Sequence, residues 1–402
     1  LRKSNTDTKL QSFERVRADR GRMGDAPVRC LVQPGDSIQP LLQAISAAKK
    51  SIEIVIFRFD RREIEKALAG AVARGVRVRA LIAYTNRGGE RKLRELEMRL
   101  LAAGVTVART DDDLVRYHGK LIIVDRRQLF VLAFNFTYLD IEHSRSFGIV
   151  TANRRHVQEA VKLFEADTQR QPYTAGSATF IVSPVNARKR LSAFVKGAKK
   201  ELLIYDPEIG DRDIIRLLEE RVAAGVIVKI IGRLGADSSC LEARRLSRMR
   251  LHTRTIVRDG CYAFVGSQSL RTLELDARRE IGIVFRDPNA VKRLAGTFRA
   301  DWASAESIAA TLEPLDEPAK EAAPAASKVA KRVAKAMARG LGPVTPVVEM
   351  TVKEVAGAET DVKLNSVEVE NTVKDAVKRA VKEAVKDLVE EAVSTQNGAN
   401  GD

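Results

Sequence analysis

An α/β fold in two equivalent halves is what this chain of 402 residues encodes, with an extension of different character at its C-terminal end. Short β-branched runs alternate with amphipathic stretches of helical period. Blocks of that series recur downstream at a constant offset. From about residue 305 the composition shifts to Ala, Lys, Glu and Val.

Residues 1–25 are polar, basic and without periodicity, which reads as a disordered arm. Regular pattern begins with a short strand (28–32), a turn at Pro34-Gly35 and an amphipathic helix over 38–50. A strand over 51–59 and a helix over 63–74 follow, with Gly75 placed as its C-terminal cap, and then a strand over 76–82. Strand, helix and strand in that order form a βαβ unit and argue for a largely parallel sheet. In the second half a helix (191–200) ends in the same Ala-Lys-Lys as residues 48–50. A strand (201–205), a helix (213–224) and a strand (225–231) follow, 150 residues beyond their counterparts. Later blocks are offset by 134, and the difference of 16 is assigned to a charged helix over 90–103, opposite which the second half has only the shorter stretch 241–249. Each half closes on a helix, one with Phe164-Glu165-Ala166-Asp167 and the other with Phe298-Arg299-Ala300-Asp301. The expected organisation is therefore an arm (1–25), a first half (26–170), a second half (171–304) and a tail (305–402). Pro314, Pro318 and Pro324 mark a linker in that tail, and Val recurs every fourth residue from Val373 to Val393 on a helix that is solvated or weakly docking, self-associating, or in contact with a lipid surface.

Charge is unevenly spread. The chain carries +16 overall, but 13 basic and 17 acidic residues lie from 303 onward, so residues 1–302 carry +20. A surface of that sign favours polyanions, whether nucleic-acid phosphates or anionic lipid headgroups. Three scattered cysteines (Cys30, Cys240, Cys261) argue against a disulfide framework and for a reducing compartment. No apolar run approaches the roughly 20 residues of a membrane span. The expectation is a cytoplasmic protein, peripheral to a membrane if it meets one, with any upstream signal left open because the chain starts on Leu1.

The chemistry concentrates in one repeated stretch. Tyr117-His118-Gly119-Lys120-Leu121-Ile122-Ile123-Val124-Asp125 is matched 134 residues later by Leu251-His252-Thr253-Arg254-Thr255-Ile256-Val257-Arg258-Asp259. Both read His-x-Lys/Arg-x4-Asp on a strand-like run, where residues i and i+2 share a face. His118 therefore sides with Lys120, and His252 with Arg254. A ring nitrogen beside a cation, presented twice, suits one anionic centre gripped from two sides. Of four histidines (His118, His143, His156, His252), two occupy equivalent points of the repeat.

With these motifs the chain resembles the phospholipase D superfamily of phosphodiesterases and phosphatidyltransferases, over roughly residues 26–302 and with a likeness to cardiolipin-synthase-like members. The resemblance implies two α/β/α sandwich halves packed about a pseudo-twofold axis, plus the helical or disordered tail. The family's Gly-Ser-x-Asn falls on Leu132-Ala133-Phe134-Asn135 and Gly266-Ser267-Gln268-Ser269. Its downstream carboxylate falls on Ser146 in one half and Glu280 in the other. Lys120 and Arg254 are then expected to neutralise phosphate oxygens, with Asn135, Ser267 and Ser269 donating hydrogen bonds to them. One imidazole attacks phosphorus while the other protonates the leaving oxygen. The family implies a phosphohistidine, and its habit makes His118 the nucleophile and His252 the acid and base. Glu280 can orient one imidazole, and Glu142 is the expected stand-in for the carboxylate missing at Ser146. Asp125 and Asp259 are read as outer-layer support or turn formers. Neither metal nor cofactor is called for, since basic side chains supply the charge.

The implied function is hydrolysis or transfer of a phosphodiester, on a phospholipid, at an anionic membrane surface. Two alternatives stand beside it: a nuclease-like phosphodiesterase on nucleic acid, and an anion-binding protein that has lost catalysis. Self-association through the C-terminal helix is a further expectation.

Overall fold

The computed structural model describes residues 27–84, 90–235, 238 and 240–307. The expected N-terminal arm and the tail beyond 307, with its valine-striped helix, lie outside the described residues.

In chain order the first half contains β1 (Val28–Gln33), α1 (Gln39–Ala47), β2 (Ser51–Ile56), α2 (Arg62–Ala73), β3 (Arg77–Ile82), α3 (Glu90–Ala102) and β4 (Thr106–Arg109). It continues with β5 (Arg116–Tyr117), β6 (Leu121–Val124), β7 (Gln128–Leu132), α4 (Tyr138–Glu142), β8 (Ser144–Thr151) and α5 (Arg154–Gln169). The second half contains β9 (Phe180–Val182), α6 (Ala187–Lys196), β10 (Glu201–Ile209), α7 (Arg212–Ala223), β11 (Ile227–Leu234), β12 (Glu242–Arg245) and β13 (Arg250–Leu251). It ends with β14 (Arg254–Arg258), β15 (Tyr262–Gly266), α8 (Thr272–Asp276), β16 (Arg278–Arg279), β17 (Ile281–Phe285), α9 (Pro288–Ser304) and β18 (Glu306–Ser307).

Each half builds one sheet, and the strand orders correspond: β1-β8-β7-β6-β2-β3-β4 against β9-β17-β15-β14-β10-β11-β12, with β18 added at the last edge. Within these orders β2-β3-β4 and β10-β11-β12 pair parallel and the remaining neighbours antiparallel. The largely parallel sheet expected from the βαβ units is thus a mixed one. The reason is local: the motif strand turns back through a tight hairpin, and hairpins make antiparallel neighbours. A second correction concerns 241–249, which supplies the edge strand β12 rather than a short counterpart of the charged helix. The sheet also runs past the expected boundary at 304, because Glu306 pairs with Arg245.

Alternation along the strands sorts the core. Ile52, Ile54 and Ile56 of β2 and Ile122 and Val124 of β6 face the layer under α1, α2 and α3. Val55, Leu121 and Ile123 face the opposite way, into a core shared by the two halves. That shared core is aromatic at its centre: Phe147 meets Tyr205 at 5.3 Å between centroids, and Tyr205 meets Phe298 at 4.9 Å, both edge-on. Burying side chains of this size contributes roughly 2–3 kcal/mol each.

The halves are also tied by reciprocal polar contacts. Arg145 reaches across to Asp301, and Arg279 to Asp167, at positions offset by 134 on both sides. β5 pairs with β16, and β13 with the start of β8, so the two residues before each motif histidine lie against the opposite half. Among the described residues no helix is long and apolar enough to cross a membrane.

Candidate active site

Both motif histidines stand at the seam. The His118 backbone N–H donates to Arg279 O at 2.8 Å, and the His252 N–H donates to Arg145 O at 3.0 Å. Gly119, between His118 and Lys120, faces Ile281 so closely that a Cβ there would overlap its side chain. A glycine is what lets the first motif lie against the second half.

Glu280, fully buried, brackets His118 Nδ1 with its two oxygens at 2.8 and 3.0 Å. As a carboxylate it accepts from Nδ1–H and leaves the Nε2 lone pair outward. Lys120 Nζ lies 2.8 Å from Nε2, and the Phe57 ring packs edge-on against the imidazole at 4.4 Å. Burial, followed by the charges of Lys120 and Arg254, holds His118 well below the usual imidazole range. Burial likewise pushes the Lys120 amine well down, against the pull of Glu280. The Glu280 carboxyl is pushed up by burial, with Lys120 opposing.

His252 is held differently. Ser146, where the family places a carboxylate, is buried and donates its hydroxyl to the His252 backbone carbonyl at 3.1 Å. The carboxylate near His252 comes from Asp140 on α4, whose Oδ2 lies 3.3 Å from Nδ1 without the alignment of a hydrogen bond. Asp140 is shared: it accepts from the Asn135 backbone N–H at 2.8 Å, from Asn135 Nδ2 at 2.7 Å and from Arg250 Nη1 at 2.5 Å. Burial raises the Asp140 carboxyl, but His252 whenever it is protonated, Arg250 and the Asn135 N–H outweigh it and hold the group below the usual carboxylate range. His252 itself is held well below the usual range by burial, with Asp140 opposing.

Glu142, expected to replace the missing carboxylate, instead pairs with Arg61 at 3.1 Å. The correction is two residues along the same helix, because Asp140 and not Glu142 lies on its buried side. The repeat contained the signal: Asp140 and Glu274 are 134 apart, and both are buried acids on five-residue helices. Arg116 and Arg250 are equivalent in the same way.

The expected oxygen donors turn out to be committed elsewhere. Ser267 Oγ accepts from the Ile281 N–H at 3.1 Å and donates to the Ile281 carbonyl at 3.4 Å, while Ser269 Oγ accepts from Arg254 Nε at 2.9 Å. Asn135 has one amide N–H on Asp140. Each thus has a partner within the protein: Ser267 the neighbouring strand, Ser269 a cation and Asn135 an acid. Arg254 Nη1 is buried and, among the described residues, has no hydrogen-bond partner. Asp125 and Asp259 lie at the far ends of the motif strands, roughly 20 Å along the chain from the histidines at the rise of an extended strand. Each carboxylate accepts from three consecutive backbone N–H groups, at Lys49, Lys50 and Ser51 or at Lys199, Lys200 and Glu201. These two residues close turns and are not outer support for the site.

The histidines share one electrostatic neighbourhood. Arg254 of the second half depresses His118, and Lys120 of the first half depresses His252. Such a cluster can accept an oxyanion, present one imidazole lone pair and pass a proton on the other side.

Comparison with known proteins gives three findings. Residues 41–168 match the family model described as "Cardiolipin synthase, PLD-like domain". The mitochondrial cardiolipin hydrolase of Canis lupus familiaris is 29% identical over 151 residues, covering 35% of this chain and 57% of the relative, so the chain spans little more than half the length of such relatives. Two solved structures share the fold. Polyphosphate kinase from Porphyromonas gingivalis has a TM-score of 0.58 at 17% identity, over 69% of this chain and 47% of the other. Phosphatidylserine synthase from Haemophilus influenzae Rd KW20 has 0.55 at 10%, over 73% and 91%.

Proposed function

The chain belongs to the phospholipase D superfamily, and from that premise we propose that it is a phosphodiesterase or phosphatidyltransferase acting on a phospholipid through a covalent phosphohistidine. The observation that carries the reading is the Glu280–His118 contact across the seam, at 2.8 Å and fully buried at the acid. It gives one imidazole an undivided carboxylate, whereas Asp140 divides its charge among His252, Arg250 and Asn135. His118 is therefore the nucleophile and His252 the acid.

Nε2 of His118 bonds to phosphorus as the bond from phosphorus to the departing alcohol oxygen breaks, and His252 delivers a proton to that oxygen. In the free protein His252 is held neutral by burial and neighbouring cations. The incoming phosphodiester anion offsets those cations and so recruits the proton that is then used. Water or a second alcohol next attacks phosphorus, His252 takes its proton, and the bond to His118 breaks. Lys120 and Arg254 hold the oxygens whose charge grows along the way. Support for a lipid substrate comes from the cardiolipin hydrolase relatives and the cardiolipin-synthase-type family model; the +20 charge of residues 1–302 suits any polyanion.

The test is incubation with vesicles containing phosphatidylglycerol or cardiolipin and, in parallel, with single-stranded and duplex DNA. Release of headgroup alcohol, with an acid-labile phosphate adduct on His118, is expected. Degradation of DNA with lipid untouched transfers the reading to nucleic acid, and no turnover of any diester rejects catalysis.

A further inference from the structure

Four differences between the halves converge behind Arg254. Where the first half has Ile56, Ile82, Lys120 and Asn135, the second has Asp206, Gly232, Arg254 and Ser269, at the offsets of 150 and 134 that relate the two. Asp206 is buried on β10, and Gly232 is its partner on β11. A side chain at 232 would overlap the Asp206 carbonyl, and the φ of +147° there is one that favours glycine. The register between β10 and β11 shifts just after Asp206, between it and Ile209.

The Asp206 side chain is fully engaged. Oδ2 accepts from the Leu270 N–H at 2.7 Å and Oδ1 from the Glu208 N–H at 3.1 Å, and the hydroxyl of Ser269, the residue before Leu270, stands beside the same carboxylate and favours its ionised form. Ser269 Oγ in turn accepts from Arg254 Nε. A chain of contacts thus runs from a buried acid through one hydroxyl to the guanidinium, whose Nη1 is left over.

We propose that Asp206 is a positioning residue that holds Arg254, through Ser269, as an oriented and permanently charged fork for the phosphoryl oxygens, with Gly232 making the room. The first half keeps a flexible amine that loses its proton readily; the second half keeps a planar cation that does not. A buried guanidinium without a counter-charge is costly, so the acid stabilises the empty site. It also moderates anion affinity, which favours release of the phosphorylated product. This rests on the reading of the site as one that takes a phosphoryl group.

Sulfate, a dianion across neutral pH, is the probe, titrated calorimetrically against the full chain. Asp206→Asn keeps the acceptor for Leu270 and removes the charge, so sulfate binds about tenfold tighter, the scale of one unit charge a few ångströms away in a partly polar site. With a diester substrate the same variant lowers kcat and KM together. Arg254→Gln weakens sulfate binding, and in Asp206→Asn/Arg254→Gln the tightening disappears, which shows that the effect travels through Arg254. Ser269→Ala, which leaves both charges and cuts only the bridge, weakens sulfate binding several-fold and serves where Asp206→Asn does not fold. Unchanged or weaker sulfate binding in folded Asp206→Asn, tightening that persists in the double variant, or unchanged binding in Ser269→Ala overturns the proposal. Wild-type protein whose sulfate binding is indifferent to Arg254→Gln overturns instead the anion-site reading beneath it.

Discussion

Replacing Asp140 by Asn removes the only carboxylate within reach of His252 among the described residues while keeping the side chain's shape. Asp140 accepts three charge-assisted hydrogen bonds, from Asn135 N, Asn135 Nδ2 and Arg250 Nη1. Both Asn135 donors meet the same oxygen, Oδ2, so an Asn carbonyl there keeps both bonds and forfeits only that of Arg250 on Oδ1, worth roughly 1.5–3 kcal/mol when charged and at the low end for the half-exposed Arg250. A loss of about 1.5 kcal/mol in stability follows. Catalysis suffers separately, because His252 loses the anion that orients its ring and steadies its protonated form. A fall in kcat on the order of 10²–10⁴ is expected, with KM little changed. The leaving group separates the steps. With a nitrophenyl diester, whose alcohol needs no proton, the first step survives and phosphohistidine accumulates on His118, since release by water still needs His252 as base. With an alkyl diester both steps are slow and little adduct forms. Adding Ser146→Glu to the variant places a carboxylate where Glu280 stands on the other imidazole, and part of the activity returns. The assignment fails if Asp140→Asn keeps kcat within twofold of wild type, or if Glu142→Gln is equally damaging.

Three further outcomes are expected. Glu280→Gln lowers kcat on the order of 10²-fold or more and abolishes the His118 adduct even with a nitrophenyl diester, read by trapping in an alkaline denaturing quench. Asp125→Ala or Asp259→Ala costs about 2 kcal/mol in urea unfolding and leaves kcat within twofold, because three backbone N–H groups lose their acceptor at a turn remote from the histidines; a large kcat effect returns these residues to the site. Burial raises both Asp206 and Asp167 from 3.8 to about 6. The folded chain therefore holds two protons that the unfolded chain releases near pH 4, so their contribution to stability is full below that value and fades as pH rises through 6. Each accounts for about 3 kcal/mol across the window. Asp206→Asn or Asp167→Asn should flatten the stability profile between pH 4 and 6, and an unaltered slope rejects the assignment.

Periodicity and repetition carried much of the fold. The run Ile52 to Ile56 and its counterpart Leu202 to Tyr205 read as strands because their alternate residues serve two different cores, and Gly75 and Gly225 ended the helices before them by positive φ. A one-dimensional pattern records such features because they depend on near neighbours. Strand direction escaped it: β2 pairs parallel on one side and antiparallel on the other, and nothing in its two-residue repeat of side chains states which partner will come.

The same division holds in the site. That His118 with Lys120 and His252 with Arg254 form corresponding pairs was contained in a spacing of 134 residues. That Glu280 serves the other half's histidine, that Asp140 and not Glu142 stands in for Ser146, and that Asp206 backs Arg254 were decided only when two separately coded sheets met. A hydrogen bond or an ion pair depends on distance and direction in space, and those are set by how the halves dock. The identities of the reacting groups are a property of the sequence; the partners that tune them are a property of the seam.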